Sequence, residues 1–194
     1  MRFKKAFTMA EAIIVMTILG IIATIMITNL KPSEFRDKGL QVQAKKVLMQ
    51  LDTATQQIVV NNTQNGKMTT VYQPGTTTQN TFSAAPDATI QTLYKKYLVT
   101  TRKTVNATTG GTACNTETGA LKAFLKDGAC VVVKKVSSAK VAAFYPGESG
   151  TSYVNTTANA LGSIFFDING ADEPNLPGKD QYRVPINADG IFYD

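Results

Sequence analysis

Glu11 is the only charged residue between Phe7 and Leu30, in a run reading FTMAEAIIVMTILGIIATIMITNL. A lone carboxylate in an apolar helix is expensive to bury, so it is functional by default and wants a cationic partner. Two other sets of residues have chemistry in reach. Cys114 and Cys130 are the only cysteines. Asp167, Asn169, Asp172, Asn175 and Asp180 place five oxygen-bearing side chains within fourteen residues, and Gly170 and Gly178 allow tight turns among them. Calcium takes about six to eight oxygens on a flexible loop, which makes Asp167, Asn169, Asp172 and Asp180 candidate ligands. The opening D-x-N-G fits a calcium loop, but the EF-hand spacing with its twelfth-position Glu is absent. The alternative is a solvated loop in which Asp and Asn cap turns.

Other chemistry is excluded by composition. The 194 residues contain no His and no Trp. That removes Ser-His-Asp triads, Cys-His pairs and His-ligated zinc. Two cysteines alone build neither a zinc cage nor an iron–sulfur site. No nucleophile–base pair is visible, so no enzyme is expected and no cofactor beyond the calcium of the acidic stretch.

The elements that must position these residues begin at the N-terminus. Arg2, Lys4 and Lys5 precede the apolar run, and residues 12–30 carry no charge over 19 positions. At ~1.5 Å rise per residue this is roughly 28 Å of helix, the hydrocarbon thickness of a bilayer. The basic leader keeps the start cytoplasmic, so the remainder is exported. The run exceeds the usual length of a secretory h-region, and no small-x-small cleavage site follows it. In an oxidising exported compartment Cys114 and Cys130 are expected to pair, closing a loop of fifteen intervening residues.

KKA-FTMAE followed by an apolar helix resembles the prepilin leader of type IV pilins and type II secretion pseudopilins, over roughly residues 2–32. The resemblance implies that a prepilin peptidase cuts between Ala6 and Phe7 on the cytoplasmic side and N-methylates Phe7. It implies that Glu11 forms the assembly salt bridge with the terminal amine of a neighbouring subunit, an interaction that selects register. The family usually has Gly before the cut, and here the residue is Ala6. The implied function is a structural subunit of a pilus-like filament, homopolymeric or mixed, made at the bacterial inner membrane, handled by an assembly platform, then periplasmic or on the cell surface. The alternatives are a pseudopilin of type II secretion, towards which the acidic C-terminal stretch inclines, and a minor pilin binding DNA.

Downstream, Pro32 interrupts the helix and Ser33 restarts it. Phe35, Leu40, Val42, Val47, Leu48, Leu51, Ile58 and Val59 recur at helical spacing. One long helix over 7–60 is predicted, apolar all round in its first half and amphipathic in its second. Residues 61–92 and 103–120 have loop composition. A short helix is predicted over 89–99, with Ile90, Leu93 and Tyr97 on one face. Strands are predicted at 129–136, 140–145 as its hairpin partner, 161–168, 181–186 as an edge because of Pro185, and 191–193. The fold class is therefore α+β: a long N-terminal helix packed on a small antiparallel sheet, pilin-like. The division is a leader at 1–6, an assembly helix at 7–32 and an amphipathic helix with globular head at 33–194.

The formal charge is +6, and three of the twenty basic residues lie in the leader. Without them the balance is 17 bases to 14 acids, or +3. Lys95-Lys96 and Arg102-Lys103 flank Tyr94 and Tyr97, with Lys134-Lys135 adding to a candidate basic aromatic patch, and a solvated face explains them better than nucleic acid. Asn61, Asn106 and Asn155 open glycosylation sequons that arise by chance in so Thr-rich a chain.

Overall fold

The computed structural model describes residues 8–29, 32–101, 114–136, 141, 143, 145–146 and 160–191. The chain divides into two compact units, Met1–Lys38 and Gly39–Asp194.

In the first unit, α1 spans Met9–Asn29. It forms from an unbroken apolar run with no proline. Every described side chain along residues 8–28 is exposed. Helix α2 runs Pro32–Asn62. Pro32 opens it at a first-turn position, where its missing N–H would have had no helical acceptor. The proline thus begins the second helix, one residue before the predicted restart. At the other end the Thr63 hydroxyl donates back to Val59 O at 2.5 Å.

In the second unit, α2 from Ala44 onward supplies a buried stripe of Ala44, Val47, Leu48, Leu51, Ala54, Ile58 and Val59. Leu40 is half-buried, whereas Val42 faces solvent. A short ladder of β1 (Val71–Tyr72) with β2 (Gln79–Asn80) occupies the predicted loop region. Helix α3 spans Asp87–Tyr97 and buries Thr89, Ile90, Leu93 and Tyr94. Tyr94, not Tyr97, is its deepest aromatic side chain: its hydroxyl pairs with Thr55 at 3.1 Å on α2.

The main sheet has the order β3-β4-β5-β6-β7, all antiparallel: Leu121–Phe124, Cys130–Lys135, Gly162–Asp167, Gln181–Asn187 and Gly190–Ile191. Two strand expectations are corrected. The hairpin partner of β4 is β3, across a turn at residues 125–129 in which Gly128 takes φ 96°. The described residues of 140–145 form no strand, and β5 takes the place beside β4. Strand β6 is also not an edge, because β7 pairs with it. Leu161 N–H donates to Ile186 O at 2.8 Å, so Ile186 faces β5 and Pro185 faces the β7 side. There, among the described residues, β7 pairs with Ile186 and Asn187, so the proline's missing donor breaks no described ladder bond.

Both sheet faces are covered. Alternation turns Val131, Val133, Ile164 and Phe166 towards α2 and α3 in the main core. Val132 and Phe165 turn the other way and join Cys114, Phe124 and Cys130 in a second cluster. The Cys114–Cys130 disulfide holds the preceding segment over that outer face. Arg183 bonds Glu117 and lies 5.7 Å from the Phe165 ring centroid, tying the same segment down.

Candidate functional site

Ala6 and Phe7, the predicted cleavage pair, lie outside the described residues. The site begins at Thr8. Thr8 N–H and its hydroxyl both donate to Glu11 Oε2 at 2.9 Å, and Glu11 N–H donates to Thr8 Oγ1 at 3.3 Å. This reciprocal pattern is a capping box, with Glu11 on the positive end of the helix dipole. The sequence spells it as T-x-x-E ahead of an apolar run, a signal missed when Glu11 was considered as an unpaired charge alone. The three further threonines in α1 satisfy their hydroxyls locally: Thr17 to Ile13 O at 2.7 Å, Thr24 to Gly20 O at 2.8 Å, Thr28 to Thr24 O at 3.1 Å. Glu11 is thus the single ionic group on a helix whose threonine hydroxyls all donate internally. By length and composition, Met9–Thr28 is one helix near the N-terminus able to cross a membrane.

The acidic stretch forms the connection between β5 and β6. Asp167 Oδ1 accepts from Gly170 N–H at 2.8 Å and its Oδ2 from Gln181 Nε2 at 3.2 Å. Asp180 Oδ1 accepts from Leu176 N–H at 2.8 Å and Oδ2 from Asn175 N–H at 2.7 Å. Both carboxylates are buried. Burial pushes the Asp167 carboxyl up to about 7, helped by the nearby Asp180 charge and opposed by the Gly170 and Gln181 hydrogen bonds. Asn169 donates to Glu173 O at 3.0 Å, and Asp172 is exposed.

Of the four residues considered for calcium, the fold therefore brings Asp167 and Asp180 together and leaves Asp172 at the surface. Among the described residues no group of three or more His, Cys, Asp or Glu converges as a metal site. Asp180 spends both oxygens on backbone N–H groups, whereas the Asn169 Oδ1 is buried with no hydrogen-bond partner among the described residues. In this structure Asp167 and Asp180 act as turn-holding acceptors.

Among the described residues the basic aromatic patch is depleted, with Lys95 left exposed. Tyr94 is buried, Lys96 Nζ sits 5.1 Å from the Tyr97 ring centroid, and Lys135 is engaged by Asp87 at 2.6 Å and Ala85 O at 2.8 Å. Arg102, Lys103, Asn106 and Asn155 lie outside the described residues. Asn61 sits in the last turn of α2.

Comparison of the chain with protein-family models, with curated proteins and with solved structures finds no match in any of the three. What the sequence and fold define is an α+β protein with one candidate membrane-spanning helix, a five-stranded antiparallel sheet and one disulfide.

Proposed function

We propose that the chain is a structural subunit of a type IV pilus-like filament, inserted in the inner membrane as a precursor, cut by a prepilin peptidase between Ala6 and Phe7, methylated at Phe7, and polymerised through α1. The observation that carries this reading is Glu11 in the first turn of a fully exposed apolar helix. Cleavage before Phe7 creates an ammonium, and a carboxylate in apolar surroundings gains most from such a partner on an adjacent copy. The partner's charge, unlike the apolar side chains, is found at one height along the helix.

The secretion-type alternative drew on the acidic C-terminal stretch as a calcium loop, of whose carboxylates Asp167 and Asp180 are engaged by the chain's own N–H groups. The DNA-binding alternative drew on Tyr94, which is buried, and on Lys96 and Lys135, which are engaged, with Lys95 left exposed. Both are weaker than the filament reading. Mass spectrometry of sheared surface filaments tests it. An N-terminal peptide beginning at methylated Phe7 is expected, and assembled material still beginning at Met1 would sink the proposal.

A further inference from the structure

The second unit has a groove of about 940 Å³ along α2 and the segment that follows α3. Its apolar side chains are unusually open: Val42 is 69 % exposed, Met49 70 % and Val99 69 %. Val42 and Met49 are seven residues apart and share one helix face. Lysines 45, 46 and 126 line the same groove, with Asp127 the only acid among the lining residues. Lys46 pairs with Asp127 at 3.9 Å, leaving Lys45 and Lys126 as a positive rim. Such a groove fits an apolar knob flanked by carboxylates.

The chain carries that knob on the β5–β6 connection. Leu176 is 47 % exposed, and Asp172 and Glu173 beside it are exposed and take no ion-pair partner among the described residues. The loop is held in place from beneath. Buried Asp180 accepts the Asn175 and Leu176 N–H groups at 2.7 and 2.8 Å, and Asn175 Nδ2 donates to Ala171 O at 3.3 Å. A loop fixed before contact loses little entropy on docking. None of its residues lines the groove of its own chain.

We infer that the groove receives residues 172–176 of a second copy, Leu176 seating among Val42, Met49 and Val99 while Asp172 and Glu173 meet Lys45 and Lys126. This rests on the reading that copies associate, and specifies a head-to-head contact that reading does not contain. The apolar helix of a second copy is the poorer occupant, since it would strip water from the lysines and return one carboxylate, Glu11, which its own first turn already engages. Opposite charges around an apolar centre also fix which partner docks and in what orientation.

The test uses the full-length chain, expressed as two differently tagged copies that keep the Cys114–Cys130 bond. One copy carries Met49→Cys and the other Leu176→Cys, and non-reducing electrophoresis follows mild oxidation. A mixed-tag covalent dimer is expected, absent when Lys95→Cys on α3 replaces Leu176→Cys. Lys45→Glu with Lys126→Glu in the groove copy should lower the yield about tenfold, and Asp172→Lys with Glu173→Lys in the other copy should restore it. Failure of the reversed pair to restore the bond overturns the charge matching. If Ile14→Cys copies cross-link through α1 while the groove and loop do not, the inference is wrong and the assembly reading stands. If neither pair cross-links, both fall.

Discussion

Thr8 and Glu11 cap each other across the first turn of α1, through three hydrogen bonds of 2.9 to 3.3 Å. The carboxylate therefore has two separable properties, its hydrogen-bond acceptors and its charge. Glutamine retains the first and loses the second, since it also closes a capping box. In Glu11→Gln, amide exchange of the first turn should match the wild type while filament yield collapses. Glu11→Ala should lose both. Thr8→Val should speed first-turn exchange about 2- to 30-fold. Filaments from Glu11→Gln at wild-type yield would show that charge has no part in assembly.

Asp167 gives the head a pH dependence of unusual sign. Its carboxyl is raised to about 7 in the folded state against an ordinary 3.8. Between those values the unfolded chain has lost the proton that the folded chain keeps, so stability falls as pH rises. The Tm of the wild-type chain in detergent should decline from about pH 4 to about pH 7 and then level off. Asp167→Asn should flatten that window. A Tm that rises steadily across it in the wild type, with Asn indistinguishable, would exclude the assignment.

The disulfide closes a short loop, fifteen residues between its cysteines. Replacing both Cys114 and Cys130 with Ser should remove about 3 kcal/mol in the chain-entropy picture. The loss should concentrate on the outer sheet face, where Phe124, Val132 and Phe165 pack against the pair. Denaturant unfolding of the oxidised and doubly substituted chains measures it. Equal midpoints would mean the segment is held by its non-covalent contacts, among them Arg183 with Glu117 and Lys122 with Asn115 O.

Gly162 admits no side chain. A Cβ there would lie 2.6 Å from the Phe82 ring and 2.7 Å from Lys134 O. The neighbours are a fully buried aromatic side chain and strand backbone, neither of which yields cheaply. Gly162→Ala should destabilise the head by about 1–3 kcal/mol, read by the same unfolding measurement. Gly39→Ala, with open space around it, serves as the contrasting variant and should be neutral or stabilising.

Local signals carried much of the fold into view. The apolar run of α1, the stripe of α2 from Val47 to Val59, and the β-branched cores of β4 and β5 depend on residues close in sequence. Strand β3 did not show, because Leu121–Phe124 is four residues long and follows a Thr/Gly-rich stretch. Pro185 was read as an edge marker because which neighbour its nitrogen faces is set by register, which no single strand encodes. The acidic stretch misled for a related reason. Composition gathers oxygens, but only the fold decides whether they meet an ion or the chain's own N–H groups, as Asp180 does with Asn175 and Leu176. Glu11 was visible as a costly charge, and its Thr8 partner was missed although it stood three residues away.

The self-bonded threonines of α1 have a consequence for solvent choice. With Thr17, Thr24 and Thr28 each donating its hydrogen to its own helix, the described flank offers its surroundings mainly dispersion. Lipid tails and the apolar side chains of a like helix supply nearly the same dispersion. On the filament proposal, such a helix would be close to indifferent between two solvents, bilayer and bundle, so that a small change at one polar end would decide between them in either direction.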